Sequence, residues 1–194
     1  MPADDERRLI LDAQEGSREA FRLLVERHMK QAYNIAYGVV GDHEEAEDIA
    51  QESFVRVYNS LGTFRGDAAF GTWLYRIVMN LSINRFRKRK TRERREIRME
   101  FQVPGKWEAG GAAIEPSGED PMIQPDLHVH LERALHRLPT LQRAVVILRH
   151  MNGLSTRQVG SILNCSDGTV KTHLHRGLRK MKTMLDFLKV EGLS

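Results

Sequence analysis

The sequence predicts an all-α protein of two small helical domains joined by a flexible linker. Three observations predict it. Apolar residues recur at helical spacing through most of the chain, and nothing alternates with the period of two that a half-buried strand requires. The stretch from about Gln102 to Pro125 breaks that pattern with Gly105, Gly110, Gly111, Gly118, Pro104, Pro116 and Pro121, and its acids Glu108, Glu115, Glu119 and Asp120 are opposed only by Lys106. Helix breakers and acids together read as a linker. Finally, 194 residues allow one large domain or two small ones. The linker decides for two, with divisions expected at 1–98, 99–126 and 127–194.

Composition bounds the function. Hydrophobic residues at 41% and charged residues at 29% supply a core and exclude a wholly disordered chain. The single cysteine, Cys165, excludes an internal disulfide and a Cys-only zinc site, and fits a reducing compartment. No apolar run approaches the ~18 residues of a membrane span, and Met1 to Arg8 is too polar for a signal peptide, so a cytoplasmic protein with no membrane insertion is expected. The net charge is only +4, but it is segregated. Asp42 to Glu52 carries six acids and no Lys or Arg, whereas Arg85 to Arg98 carries nine Lys or Arg against Glu93 and Glu96. From Gln142 to Lys182 eight Lys or Arg face the single acid Asp167. Two basic surfaces on either side of an acidic linker fit two contacts along one polyanion.

The acidic helix comes first. Asp42 and Glu45 have capping-box spacing, and Ala46, Ile49, Ala50, Phe54, Val57, Tyr58 and Leu61 form the expected core stripe. The other face carries Asp48, Gln51, Glu52 and Val55, which is either an ordinary solvated face or a docking surface for a basic protein partner. Its carboxylates diverge along the helix, and no glycine-containing calcium loop is present, so no metal is expected.

Phe64 to Arg76 then leads into a basic helix with Trp73, Leu74, Ile77, Val78 and Leu81 inward and Arg76, Asn80, Asn84, Arg87 and Lys88 outward. Cations hold phosphates, while amides and aromatics read or stack on exposed bases; the combination suits single-stranded or opening DNA. Phe64 and Phe70 are either base platforms or core, and Trp73 is weighted toward core.

In the C-terminal half, Leu154 to Leu163 reads as a short helix capped by Ser155, Asn164 to Asp167 as a turn, and the next helix as capped by Ser166 or Asp167. Val170, Leu174, Leu178, Met181 and Leu185 form its apolar stripe, and Gly160 permits close helix approach. Lys171, Thr172, His175, Arg176 and Arg179 point outward, as on a recognition helix in a major groove; a purely structural helical hairpin is the alternative. His128 and His130, like His173 and His175, stand two apart and cannot share a metal while helical. No nucleophile with its base and no phosphate-cradling loop appears, so neither an enzyme nor a cofactor is expected.

The block Ala46-Glu47-Asp48-Ile49-Ala50-Gln51-Glu52-Ser53-Phe54, the run from Phe64-Arg65-Gly66-Asp67 through Thr72-Trp73-Leu74-Tyr75-Arg76-Ile77 to Asn80, and Leu138-Pro139 followed by Gly168-Thr169-Val170-Lys171 resemble bacterial sigma factors of the extracytoplasmic-function group. Asn84 stands where an Asp is common in that group, and Gln158-Val159-Gly160 replaces a usual Glu-Ile-Ala. The resemblance implies a helical region 2, a linker and a helical region 4, in a protein that binds core RNA polymerase and directs it to promoter DNA. It places Asp48, Gln51, Glu52 and Val55 on the clamp helices of the β′ subunit. It places Phe64, Phe70, Arg76, Asn80, Asn84, Arg87 and Lys88 on the minus-ten element, and Ser166, Thr169, Lys171, Thr172, His175, Arg176 and Arg179 on the minus-thirty-five element. Leu138 to Met151 would meet the β-flap, and an anti-sigma factor is an expected partner. The competing class is a free-standing helix-turn-helix regulator, which would need neither the acidic helix nor the aromatic approach to Asn80.

Overall fold

The computed structural model describes residues 2–100 and 127–186, and every element among them is helical. The expected linker lies almost wholly outside the described residues. Four helices form the N-terminal half: α1 (Pro2–Gln14), α2 (Arg18–Val40), α3 (His43–Ser60) and α4 (Phe70–Glu100), with a 3₁₀ turn at Leu61–Thr63. Four more form the C-terminal half: α5 (Leu127–His136), α6 (Thr140–Val146), which runs on into a π-helical turn at Ile147–Met151, α7 (Thr156–Leu163) and α8 (Asp167–Leu185).

Caps written in the sequence set the boundaries. The Ser17 hydroxyl accepts from the Ala20 N–H to start α2, and Gly41, at φ 71°, ends it in the left-handed conformation that a side chain would resist. The Asp42 carboxylate accepts from the Glu45 N–H at 2.8 Å to start α3. The expected box is only half made, because the Glu45 carboxylate turns away to Arg89 of α4 at 2.9 Å.

Helix α2 is the centre of the N-terminal half. Leu24, Ala32, Ile35, Ala36, Val39 and Val40 are buried, packed with Ile49, Phe54 and Val57 of α3 and Leu74, Val78 and Met79 of α4. Tyr58, expected in the core stripe, is instead 52% exposed, its ring edge-on to Phe21 at the rim. In the C-terminal half Val145, Val146, Ile147, Leu148, Val159, Ile162 and Val170 form the core. Leu178, expected inward, is 38% exposed on α8, next to Gly177, whose backbone is the part that meets Val146 and Gln142 of α6.

The two halves do not stand apart. Their apolar residues form one continuous cluster, with α2 and α4 packed against α5, α6, the π-helical turn and α7.

Candidate protein and nucleic-acid interfaces

On α3, Asp48, Gln51 and Val55 are exposed and Glu52 is half-buried. Val55 is 60% exposed, an unusual exposure for a β-branched apolar residue beside two acids, and with Arg18, Phe21, Phe54 and Tyr58 it lines a groove of about 370 Å³. Glu52 has a second task that the sequence does not reveal. Its carboxylate binds Arg56 one turn on, at 2.7 Å, and Arg85 of α4, at 3.4 Å. Arg85 and Arg89 of the basic run thus tie α4 to α3, while Arg87 and Lys88 stay in solvent.

The approach to α4 is held from the other side. Gln14 of α1 donates through Nε2 to the carbonyls of Leu61 and Phe64, both at 2.9 Å. Phe64 is half-buried and tilted against Trp73, ring centroids 5.0 Å apart. Phe70, expected on the same surface, is 1% exposed. It packs against Phe64, Trp73 and His28 and belongs to the core, because the first turn of α4 carries it inward. Arg76, Asn80 and Asn84 follow one another at four-residue spacing and are exposed in one row with Arg87 and Lys88. Beneath the row, the Tyr75 hydroxyl donates to Gln31 Oε1 at 2.5 Å and meets His28 Nδ1 at 3.0 Å, while His28 Nε2 meets Glu6 at 2.7 Å. Burial, then the nearby Glu6, pushes the Tyr75 hydroxyl well above its ordinary pKa, so it stays a donor.

The helix-turn-helix is built as its sequence directs. Ser155 and Gln158 cap α7 reciprocally, and Asn164 turns the corner at φ 52°. A Cβ on Gly160 would stand 2.8 Å from the Cys165 carbonyl, so the corner closes only around glycine. Cys165 is half-buried there, and burial followed by the charge of Asp167 raises its thiol pKa. Ser166 caps α8: its hydroxyl accepts from the Thr169 N–H at 3.2 Å and pairs with the Thr169 hydroxyl at 2.9 Å. Thr172 donates back to the Gly168 carbonyl. Lys171, Thr172, His175, Arg176 and Arg179 are exposed on the outer face, with Lys171 and Thr172 in the second turn of α8 and His175, Arg176 and Arg179 farther along it.

One basic residue counted toward the C-terminal charge is not on the surface. Arg143 is 1% exposed, with Nη1 donating to the Val39 carbonyl of α2 at 2.7 Å and to His136 Nδ1 at 3.1 Å. Periodicity registers position 143 only as polar, so the sequence carries no signal for its burial.

Among the described residues no group of His, Cys, Asp and Glu is arranged to hold a metal ion, and no helix is long and apolar enough to cross a membrane.

Comparison with known proteins adds to this geometry. Residues 24–92 match the family description Sigma-70 region 2, and residues 128–181 match Sigma-70, region 4. The chain is 34% identical over 180 residues to the ECF RNA polymerase sigma factor SigW of Bacillus subtilis, covering 91% of this chain and 94% of that one. It is 33% identical over 169 residues to the ECF RNA polymerase sigma-E factor of Escherichia coli K12, covering 87% of each. Among solved structures, CnrH in complex with the cytosolic domain of CnrY superimposes with a TM-score of 0.69 at 24% identity, over 94% of this chain and 97% of that one. The sigma factor RpoE in complex with the anti-sigma factor NepR from Bartonella quintana gives 0.64 at 23% identity, over 86% and 96%.

Proposed function

The chain belongs to the extracytoplasmic-function group of the sigma-70 family, and from that premise we propose how its surfaces divide the work of a sigma factor, which binds core RNA polymerase and directs promoter-specific initiation. Such a subunit recruits and positions; it does not itself catalyse. Residues 1–98 serve as region 2, 99–126 as the linker and 127–194 as region 4. Asp48, Gln51, Glu52 and Val55 dock on the clamp helices of β′, with Glu52 oriented by Arg56 and Arg85. Phe64, Arg76, Asn80, Asn84, Arg87 and Lys88 handle the minus-ten element, the two amides reading bases and the cations holding phosphates. Lys171, Thr172, His175, Arg176 and Arg179 read the minus-thirty-five element, while Ser166 and Thr169 fix the start of the recognition helix and offer hydroxyls to the backbone. The structural neighbour caught with an anti-sigma factor supports control of this chain by an anti-sigma factor.

One observation carries the reading: a single chain presents an acidic, partly apolar face on α3, an amide and cation row on α4 and a capped recognition helix on α8, all three exposed. A free-standing repressor has use for the third alone. The test is runoff transcription with core enzyme and genomic fragments. Promoter-specific transcripts should appear only when the chain is added, and Asp48→Lys should abolish both transcripts and copurification with core while the circular-dichroism spectrum stays helical. Transcripts that do not depend on the chain would overturn the reading.

A further inference from the structure

The packing between the two halves has a centre. Helix α2 ends with carbonyls that no later turn can satisfy, and this end carries the partial negative charge of the helix dipole. Gly41 N–H takes the Tyr37 carbonyl at 2.8 Å. Arg89 of α4 takes the Val40 carbonyl at 2.7 Å. The Val39 carbonyl is taken by Arg143, which arrives from α6 in the other half. The Arg143 guanidinium also lies over the Phe86 ring of α4, 4.2 Å from its centroid, and so covers an aromatic side chain set among cations.

Around this point the surfaces fit closely. A Cβ on Gly38 would stand 3.0–3.3 Å from the Ile147 side chain, and one on Gly41 would meet the His136 ring at 2.5 Å. Gln31 donates to the Asn152 carbonyl at 3.3 Å, and Arg76 Nη2 to the Ser161 hydroxyl at 3.0 Å. His136, Arg143, Ile147 and Asn152 thus form one face of α5, α6 and the π-helical turn, applied to α2. Arg76, a member of the α4 row, is engaged by α7.

We infer that Arg143 is a latch: by docking on the C-terminal end of α2 and the Phe86 face it holds the C-terminal half closed on the N-terminal half in the free chain, and core polymerase binds only the unlatched form. The inference rests on the sigma-factor reading for its second half, because Arg143 and Ile147 of the latched face lie within the stretch Leu138 to Met151 that docking on the β-flap requires. Its first half, closure of the free chain, does not depend on polymerase.

The chemistry of the latch makes it reversible. Arg143 is buried with two carbonyls, one imidazole nitrogen and an aromatic face, but its Nε has no partner, and the neighbouring cation Arg89 adds repulsion. Removing a guanidinium from water on those terms is costly, and the hydrogen bonds and the Phe86 ring offset that cost only in part. Opening returns the charge to solvent. A partner of modest affinity therefore suffices to shift the balance.

The experiment uses the full chain. Gly38→Leu places a wedge on α2 where the nearest atoms all belong to Ile147 of the opposing half, so its steric clash falls on the closed form. Arg143→Ala removes the latch itself. Small-angle scattering of the free wild-type chain should give a compact particle, and each variant should give an expanded one with unchanged helical circular dichroism. Apparent affinity for a binding partner is reduced by the fraction of chain that is competent, so a chain closed nine times in ten gains about tenfold on opening. Both variants should bind core polymerase about tenfold more tightly. Gly38→Ala, a smaller wedge in a helix, covers the case in which the leucine perturbs folding, and it should shift both readouts in the same direction. An extended wild-type particle, or variants that expand without gaining affinity for core, would overturn the latch. Failure of every form to bind core would instead sink the sigma-factor reading, with the scattering result standing on its own.

Discussion

Val55 and Tyr58 offer the sharpest test of the α3 docking face, because the structure separates what they give to folding from what they give to binding. Val55 is 60% exposed, so truncation to Ala removes about two methyl groups that are mostly in water already. Stability should change by no more than about 0.5 kcal/mol. Buried under a partner, the same two groups are worth about 0.8 kcal/mol each. Weighted by the exposed fraction, the loss of binding is about 1 kcal/mol, roughly fivefold in Kd. Tyr58 is 52% exposed. An aromatic side chain buries about 150–250 Å² when fully enclosed, and half of that at about 25 cal/mol per Å² gives about 2–3 kcal/mol. Its edge-on contact with Phe21, centroids 5.0 Å apart, adds about 0.5–1.5 kcal/mol to folding, so Tyr58→Ala should also lower the melting temperature modestly. The double variant should therefore lose more than about a hundredfold in affinity for core polymerase, against a small loss of stability. Fluorescence anisotropy with labelled chain and a thermal melt measure the two quantities. If the double variant binds core within twofold of wild type, the groove is a solvated face and the docking surface lies elsewhere.

Three further outcomes are expected. Asn80→Ala should weaken open-complex formation, read by permanganate reactivity near the start site, more than it weakens binding to a duplex minus-thirty-five fragment, since an amide reads bases and adds little phosphate attraction; equal losses would contradict the assignment. Arg176→Ala should cost about 1–3 kcal/mol and relax preference at one base position, whereas Arg179→Ala, farther from the helix start, should weaken binding evenly and lower the salt slope by about one unit; holoenzyme binding over a promoter library at several salt concentrations separates the two. Closure should also depend on pH through His136, whose pKa is lowered first by burial and then by Arg143 of α6, against an opposing pull from Glu132 on its own helix and with a smaller further lowering from Arg89 of α4, while the Gly41 corner brings no charge. The open chain takes up a proton near the ordinary value of 6.5 and the closed chain only below it, so closure is fullest above about 6.5 and declines as pH falls toward the lowered value; scattering should show expansion on acidification that His136→Ala removes, and compaction on acidification would refute it.

What is legible in the sequence is local. Asp42, Ser155 and Ser166 are caps because their side chains reach a backbone N–H three residues on, a relation that spacing alone displays. Asn164 and Gly160 define the helix-turn-helix corner just as locally, one by tolerating a left-handed φ and the other by admitting the Cys165 carbonyl, and the outward rows on α4 and α8 follow from helical period. Long side chains with distant partners are not legible. Arg89 and Arg143 count equally with Lys88 in a tally of charge, yet one caps α2 from within its own half and the other from across the molecule, 104 positions away from Val39. Glu45 has the spacing of a capping-box partner, but Arg89, a cation 44 positions on, holds its carboxylate instead. Periodicity also leaves the width of an apolar stripe undefined in both directions: Tyr58 and Leu178 lie at its margin and are exposed, while Phe70 is carried inside it and is enclosed.

Gly38 adds an argument that does not depend on Arg143. A glycine within a helix is less favourable than alanine by about 1 kcal/mol, and nothing in α2 itself asks for one at this position. Gly41 is different, since its left-handed conformation ends the helix whether or not the halves touch. At Gly38 the three atoms nearest to an added Cβ all belong to Ile147, from the opposing half. If the halves were independent bodies on a tether, the glycine would weaken α2 with no compensating contact. If they close, it admits Ile147 to the helix backbone and brings Arg143 within 2.7 Å of the Val39 carbonyl. The cost of the glycine is then recovered in the closed state alone, so Gly38→Ala should act in opposite directions on the two properties: a more stable α2 and a less tightly closed chain. A variant that is stabilised by about 1 kcal/mol and still scatters as compactly as wild type would show that Ile147 yields to the added methyl, leaving Gly38 without a role in closure.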